Sequence, residues 1–182
     1  MSTNAAAHRT ARVPQAGRGT GAIAYTYLET SIGSLLLSAS DSGLDSVLFP
    51  TNGRPAAPAP TWHEDALLLQ EPIRQLRAYF AGKLENFDLA LAPQGTPFQQ
   101  KVWDELCLIP YGETISYGEL AKRIGNPNAS RAVGLANGSN PIPIIIPCHR
   151  VIGSNGKLTG YGGGLHIKEK LLALERRQLR LL

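Results

Sequence analysis

Cysteine, methionine and tryptophan are scarce in this 182-residue chain, which has two Cys, one Met and two Trp. Two cysteines, Cys107 and Cys148, cannot build a disulfide framework, and no cluster of Cys and His has the spacing of a structural zinc site. A reduced thiol is therefore the default state of both, and no metal is expected. Also missing are an apolar run long enough to span a bilayer and the apolar core of a signal peptide, so the chain reads as cytoplasmic with no membrane partner. No glycine-rich stretch has the P-loop spacing, which argues against nucleotide-phosphate binding. Hydrophobic residues make up 43% of the chain, enough for a real core in one large domain or two small ones. A formal net charge of +4 and a pI near 9.2 favour polyanionic partners such as nucleic acid, although a solvated basic surface would give the same values.

From residue 1 to about 21 the chain is Ala, Ser, Thr, Gly and Arg without acidic residues or apolar periodicity. This composition predicts a disordered tail with no assigned function. Three β-prone runs follow, Ile23 to Glu29, Ser34 to Ala39 and Leu44 to Phe49. Turn chemistry at Ser31-Ile32-Gly33 and Asp41-Ser42-Gly43 separates them, which predicts a β-meander. Residues 55–60 are Pro-rich and read as a loop. A helix then carries Leu69, Ile73, Leu76 and Phe80 on one face, with Pro72 as a candidate kink.

The texture changes at Thr96. Thr96-Pro97-Phe98-Gln99 has capping-box spacing with Pro at the first helical position, and Phe98, Val102, Leu106 and Ile109 then recur on one face, ending before Pro110. Cys107 falls near the other side and reads as a small buried hydrophobe. Tyr117 to Ile124 predicts another helix, Gly125-Asn126-Pro127 breaks it, and Asn128 is placed to cap a helix from Ala129 to Asn137 that Gly138 would stop. Two helices with so short a break fit a helix-turn-helix or an ordinary αα-hairpin. The second helix favours the former. Its small residues permit close approach to something large, and Arg131 sits in the first turn, where the macrodipole disfavours a cation unless an anion is near. The expectation is an α+β fold. A small N-terminal α/β domain with a β-meander and helix over 22–93 precedes a mainly helical, winged-helix-like helix-turn-helix domain over 94–182.

Asn140 to Val151 is the most informative stretch. An apolar, proline-bracketed run delivers a stiffly held thiol, Cys148, beside His149 and Arg150, the residues able to favour a thiolate. Neighbours in an extended chain face opposite ways, so His149 reaches the sulfur directly only if the backbone turns there, and otherwise through a water. A third group should orient the imidazole. On the last predicted helix, Ile167 to Arg177, Glu175 falls inside the apolar stripe of Ile167, Leu171, Leu172 and Leu174. It should be buried, and a buried carboxylate needs a partner such as His149 or a backbone donor. Between them, Gly153 to Gly164 forms a glycine-rich loop. With Tyr161 it would suit one wall of a flat pocket.

From Thr96 to Arg177, and above all at Pro147-Cys148-His149-Arg150-Val151, the chain resembles the O6-alkylguanine-DNA alkyltransferase family, also called methylated-DNA protein-cysteine methyltransferases. From Ala22 to Pro93 the likeness to the family's N-terminal domain is looser and lacks the zinc ligands of some members. The resemblance implies that Cys148 accepts the alkyl group, His149 acts as water-mediated base, Glu175 orients it, and Asn140 braces the helix-turn-helix against the active-site segment. It makes Arg131 a finger entering the duplex from a minor-groove recognition helix, with Ala129, Ser130, Ala132 and Gly134 beside it on the DNA. Tyr117 would displace the target phosphate, and Pro143, Val151, Tyr161, Gly162 and Gly163 would form the base pocket. Gly162 stands where some relatives have serine, leaving a backbone N–H for the base oxygen. The implied activity is single-turnover repair of O6-alkylguanine, with O4-alkylthymine as a further candidate substrate. Base flipping precedes transfer, and no cofactor is needed. The implied partner is double-stranded DNA, bound by a monomer able to cluster on it.

Three rival readings remain to be weighed. Alkyltransferase-like binding proteins lack the acceptor cysteine, which is present here. Adaptive-response regulators add a Cys-rich domain, whereas no cysteine precedes Cys107. A cysteine hydrolase fits Cys, His and Glu alone, but it would turn over and would need no DNA-binding helices.

Overall fold

The computed structural model describes residues 21–179, with side chains described through residue 176. The expected tail, apart from Gly21, lies outside the described residues. Strands β1 (Ala24–Thr30), β2 (Gly33–Ser40) and β3 (Gly43–Leu48) form the antiparallel meander. A two-residue strand, β4 (His63–Glu64), joins β1 in parallel, giving the order β3-β2-β1-β4. The β2–β3 turn needs glycine, because Gly43 has φ +130° and its open side faces the Ala90 carbonyl. Leu28, Leu35, Leu37 and Val47 are buried. Helix α1 (Gln70–Phe80) belongs to the same core through Leu76 and Tyr79. Pro72 is its third residue, where no intrahelical N–H is required, so it does not break the helix.

The outer edge of β3 is occupied by two other segments. Leu44 exchanges backbone hydrogen bonds with Ala90 and Ala92, and the Val47 N–H donates to the Pro141 carbonyl at 2.9 Å.

Helix α2 (Pro97–Leu106) starts with the expected reciprocal capping box between Thr96 and Gln99. Val102, Leu106 and Ile109 are buried, but Phe98, expected on the same face, is 36% exposed. It sits in the first turn of the helix and is not part of the core cluster. Cys107 is buried. After β5 (Ile115–Ser116), the Ser116 hydroxyl caps α3 (Tyr117–Arg123), and a short turn leads into α4 (Ser130–Gly138). Two expectations fail at α4. Ala129, not Asn128, is the N-cap, without any side-chain bond, because the Ala129 N–H is already turned back to the Asn126 carbonyl. Gly138 completes the helix, and Ser139 caps it. The Trp103 indole N–H donates to the Ala136 carbonyl at 2.8 Å, fastening α4 to α2.

Cys148–Arg150 forms one 3-10 turn, followed by β6 (Val151–Ile152) paired in parallel with β5, and by α5 (Leu165–Leu179). One continuous hydrophobic cluster runs from Leu35 and Leu76 through Trp103 and Leu120 to Ile145 and Leu171. Sheet, helix-turn-helix and the segment bearing Cys148 therefore share one core. No helix among the described residues is long and apolar enough to cross a membrane.

Candidate active site

The segment before Cys148 is held as a closed loop. Asn140 accepts from the Ile142 N–H at 3.0 Å and donates to the Ile146 carbonyl at 2.8 Å, while the Ile146 N–H closes on the Ile142 carbonyl. Inside it Ile144 has φ +77°, a left-handed conformation that costs a β-branched residue about 1–3 kcal/mol and persists only when its surroundings impose it. Full burial of Ile142, Ile144 and Ile146 supplies that constraint. The Cys148 N–H then bonds the Ile146 carbonyl, and the backbone turns. The turn buries Cys148, His149 and Arg150 together, which an extended chain could not do.

Cys148 opens on a cavity of about 260 Å³. Of the expected pocket residues, Pro143, Tyr161 and Gly162 line it, together with Asn140. Val151 does not line it and is fully buried, with its carbonyl accepting from Lys168. Gly163 lies outside the lining and packs on Phe49, whose ring would stand 2.8 Å from any Cβ added there. Tyr117, likewise absent from the lining, lies beside Gly134 of α4. The opposite wall, which was not anticipated, is residues 47–51 at the end of β3 and beyond, with the Phe49 ring 5.5 Å from that of Tyr161.

Burial raises the Cys148 thiol to about 11, against partial opposition from the Asn140 side chain, the Lys168 charge and Tyr161. Burial likewise lowers the pKa of His149, although Glu175 pulls it back up. The resting pair is thus a thiol and a neutral imidazole, and the sulfur needs a base at the moment of attack. His149 Nε2 lies 2.8 Å from Glu175 Oε1. A carboxylate there fixes the proton on Nε2 and leaves Nδ1, which is buried and has no hydrogen-bond partner, as the acceptor nitrogen.

Glu175 is fully buried and accepts five hydrogen bonds: from Tyr79 and His149, from Arg150 Nε and Nη2, and from the Gly112 backbone. Burial pushes its pKa up, but the bonds and charges of His149 and Arg150 prevail and hold it well below the ordinary carboxylate range. Arg150, expected to favour the thiolate, is instead engaged with Glu175 and the Ile109 carbonyl, its guanidinium over the Tyr111 ring. The cation acting on the sulfur is Lys168, fully buried with Nζ bonded to the Val151 and Thr159 carbonyls. Its signal was in the sequence. Lys168 precedes Glu175 by seven residues, so the helical geometry that puts Glu175 inside the stripe puts Lys168 there too.

Arg131 and Ala132 are exposed on α4, while Ala129, Ser130 and Gly134 are half-buried. Leu135 is 73% exposed on the same helix, one turn beyond Arg131. Among the described residues no group of three or more His, Cys, Asp or Glu is arranged to hold a metal.

Two family models cover nearly all of the described chain. The 6-O-methylguanine DNA methyltransferase ribonuclease-like domain matches residues 23–93, and the DNA binding domain of the same name matches 97–177. The methylated-DNA–protein-cysteine methyltransferase of Methanosarcina acetivorans is 57% identical over 151 residues, covering 83% of this chain and 97% of that protein. The chain belongs to this family. Another methyltransferase of the same name, from Mycobacterium tuberculosis, is 52% identical over 155 residues, covering 85% of this chain and 93% of that one. A crystal structure of M. tuberculosis OGT in complex with DNA superposes with a TM-score of 0.79 at 49% identity, covering 85% of this chain and 94% of that chain. The α+β methyltransferase fold, a small sheet unit followed by a mainly helical one, is thus shared over most of the chain's length.

Proposed function

We propose that this methyltransferase repairs DNA by moving the alkyl group of O6-alkylguanine irreversibly onto Cys148. The carrying observation is the buried Cys148 thiol, held by a turn in the wall of a pocket of about 260 Å³, with a neutral His149 and the carboxylate of Glu175 beside it in the fold. Residues 22–93 would support the site, and residues 94–182 would bind DNA and accept the group. The relatives' names and the OGT–DNA complex support DNA as the substrate.

The chemistry follows from these parts. The O6-alkyl carbon is stacked inside a duplex, so the nucleotide must rotate out, at a cost of roughly a few kcal/mol, least for a damaged pair. Exposed Arg131 on α4 would fill the vacated stack, and the backbone N–H of Gly162 would meet the base oxygen. The sulfur attacks the alkyl carbon, the S–C bond forms and the C–O6 bond breaks. The thiol proton passes to His149 Nδ1, directly or through a water, and the departing guanine anion takes a proton from solvent, to which the imidazolium later returns its own. Glu175 then faces an imidazolium, whose charge it stabilises. The thioether has no hydrolytic exit.

A duplex carrying one O6-methylguanine, incubated in excess with the protein, tests this. Product should reach at most one equivalent per protein, with the Cys148 peptide heavier by one CH₂ and the Cys107 peptide unchanged. Continued turnover with unmodified Cys148 would refute the transfer and favour a hydrolase.

A further inference from the structure

Tyr79 lies on α1, which covers the sheet, 96 residues from the carboxylate it meets. Its hydroxyl donates to Glu175 Oε1 at 2.8 Å, the same oxygen that faces His149 Nε2 at 2.8 Å and Arg150 Nη2 at 3.0 Å. Tyr79 and Glu175 are both fully buried. The ring is clamped by Phe87 and Phe80, each at 5.4 Å between centroids, and by Tyr111 at 6.1 Å, while Tyr111 in turn lies under the Arg150 guanidinium. An aromatic stack thus runs from the sheet unit to the ion pair behind the thiol.

We infer that Tyr79 is a positioning residue of the alkyl transfer: by donating to Glu175 Oε1 it fixes the carboxylate and sets how strongly that oxygen supports His149. This rests on the proposed role of Cys148 as acceptor. Toward the carboxylate the phenol is the donor, because Glu175 can only accept and because burial first, and then the charge of Glu175, keep the hydroxyl protonated. Oε1 divides its charge among three donors, so each one removed leaves a more basic oxygen for the others. The remaining groups acting on His149 are the charges of Arg150 on its own turn and Lys168 on α5. Those acting on Tyr79, besides Glu175, are Arg150 and Tyr111. Deleting only the hydroxyl removes none of these groups.

The sign is then fixed. Without the hydroxyl, Glu175 draws more strongly on the imidazole, the protonated form of His149 is favoured, and the rate falls at a higher pH as the medium is acidified. The test is single-turnover transfer against pH, read with free O6-benzylguanine, which requires no DNA. Tyr79→Phe should move the midpoint of the acid limb up by about 0.5–1 pH unit. Replacing Tyr79 with 3-fluorotyrosine, a stronger donor of nearly the same size, should move it down, which guards against a variant that merely folds poorly. An unmoved midpoint in both proteins, whatever happens to thermal stability, would overturn the inference. Failure of the wild-type protein to label Cys148 at any pH, with the free base and with an O6-methylguanine duplex alike, would instead remove the reading on which it stands.

Discussion

Replacing Glu175 by Gln keeps the shape of the side chain and removes its charge, and the five donors around it make the consequence calculable. With the new amide nitrogen at the Oε2 position, the Arg150 Nε and Gly112 N–H groups lose their acceptor; at the Oε1 position, Tyr79, His149 and Arg150 Nη2 lose theirs. At least two buried or half-buried donors are orphaned either way, each costing up to about 1–3 kcal/mol. Arg150, 1% exposed, also keeps its charge without a counter-charge. Breaking a buried pair in this way costs about 3–5 kcal/mol in total, a large share of the 5–15 kcal/mol that holds a typical domain together. For a chain of this length it should lower the melting temperature by about 6–20 °C. The variant should still fold at 25 °C, which allows its chemistry to be measured. With no anion behind it, His149 loses both orientation and support for its protonated form, and transfer should slow by about 10- to 1000-fold. Urea melts and single-turnover transfer from an O6-methylguanine duplex, followed by intact mass between pH 6 and 9, measure the two effects separately. A full rate across that range with stability lost would make Glu175 a purely structural tie. Unchanged stability would refute the accounting of donors itself.

Arg131→Ala should slow repair of the base in a duplex far more than reaction with free O6-benzylguanine, since only the duplex requires extrusion, and single-turnover rates on both substrates check it; equal losses would exclude a finger role. Folding stability should also fall on acidification in two overlapping stages. His149, its pKa lowered below 6.5, must take up a proton on unfolding, so stability declines as the pH drops through that value; Glu175, held below its ordinary 4.5, adds a further loss below about pH 4.5. Denaturant melts between pH 8 and 2 should show both stages, and in Glu175→Gln the lower stage should be smaller, with the depressed carboxylate of Glu71 still contributing to it.

How much of this was legible in the sequence depended on whether the determining contact was local. The meander, the capping box at Thr96 and the helix-turn-helix are written in short-range turn chemistry and periodicity, and they are found within a residue or two of where that chemistry puts them. Asn128 and Gly138 went wrong for a related reason: helix ends are decided by single backbone bonds, here from the Ala129 N–H to the Asn126 carbonyl, which composition does not specify. Cys148, its neighbouring imidazole and the buried carboxylate could be read because two adjoin in the chain and the third breaks an apolar helical stripe. Lys168 breaks the same stripe and was overlooked. The partner of Arg150 could not be read at all, since the turn at Cys148 decides which way the guanidinium points. Nor could Tyr79, an ordinary aromatic on an amphipathic helix whose significance appears only when residues 79 and 175 meet.

The backbone bond between Val47 and Pro141 bears on how separable the two halves of the chain are. Strand edges with unpaired amide groups readily recruit other strands, and proteins commonly blunt or cover them. Here part of that covering comes from the segment leading to Cys148, so the first half carries an edge that its own residues close only at Leu44. Cut at the boundary between the two matched family segments, it would leave the Val47 amide without its partner and open to self-association. The second half would lose the wall of its pocket formed by residues 47–51. Exchange of either half with a relative would therefore have to preserve a register between them as well as two separate folds, which makes this chain a poor candidate for modular shuffling.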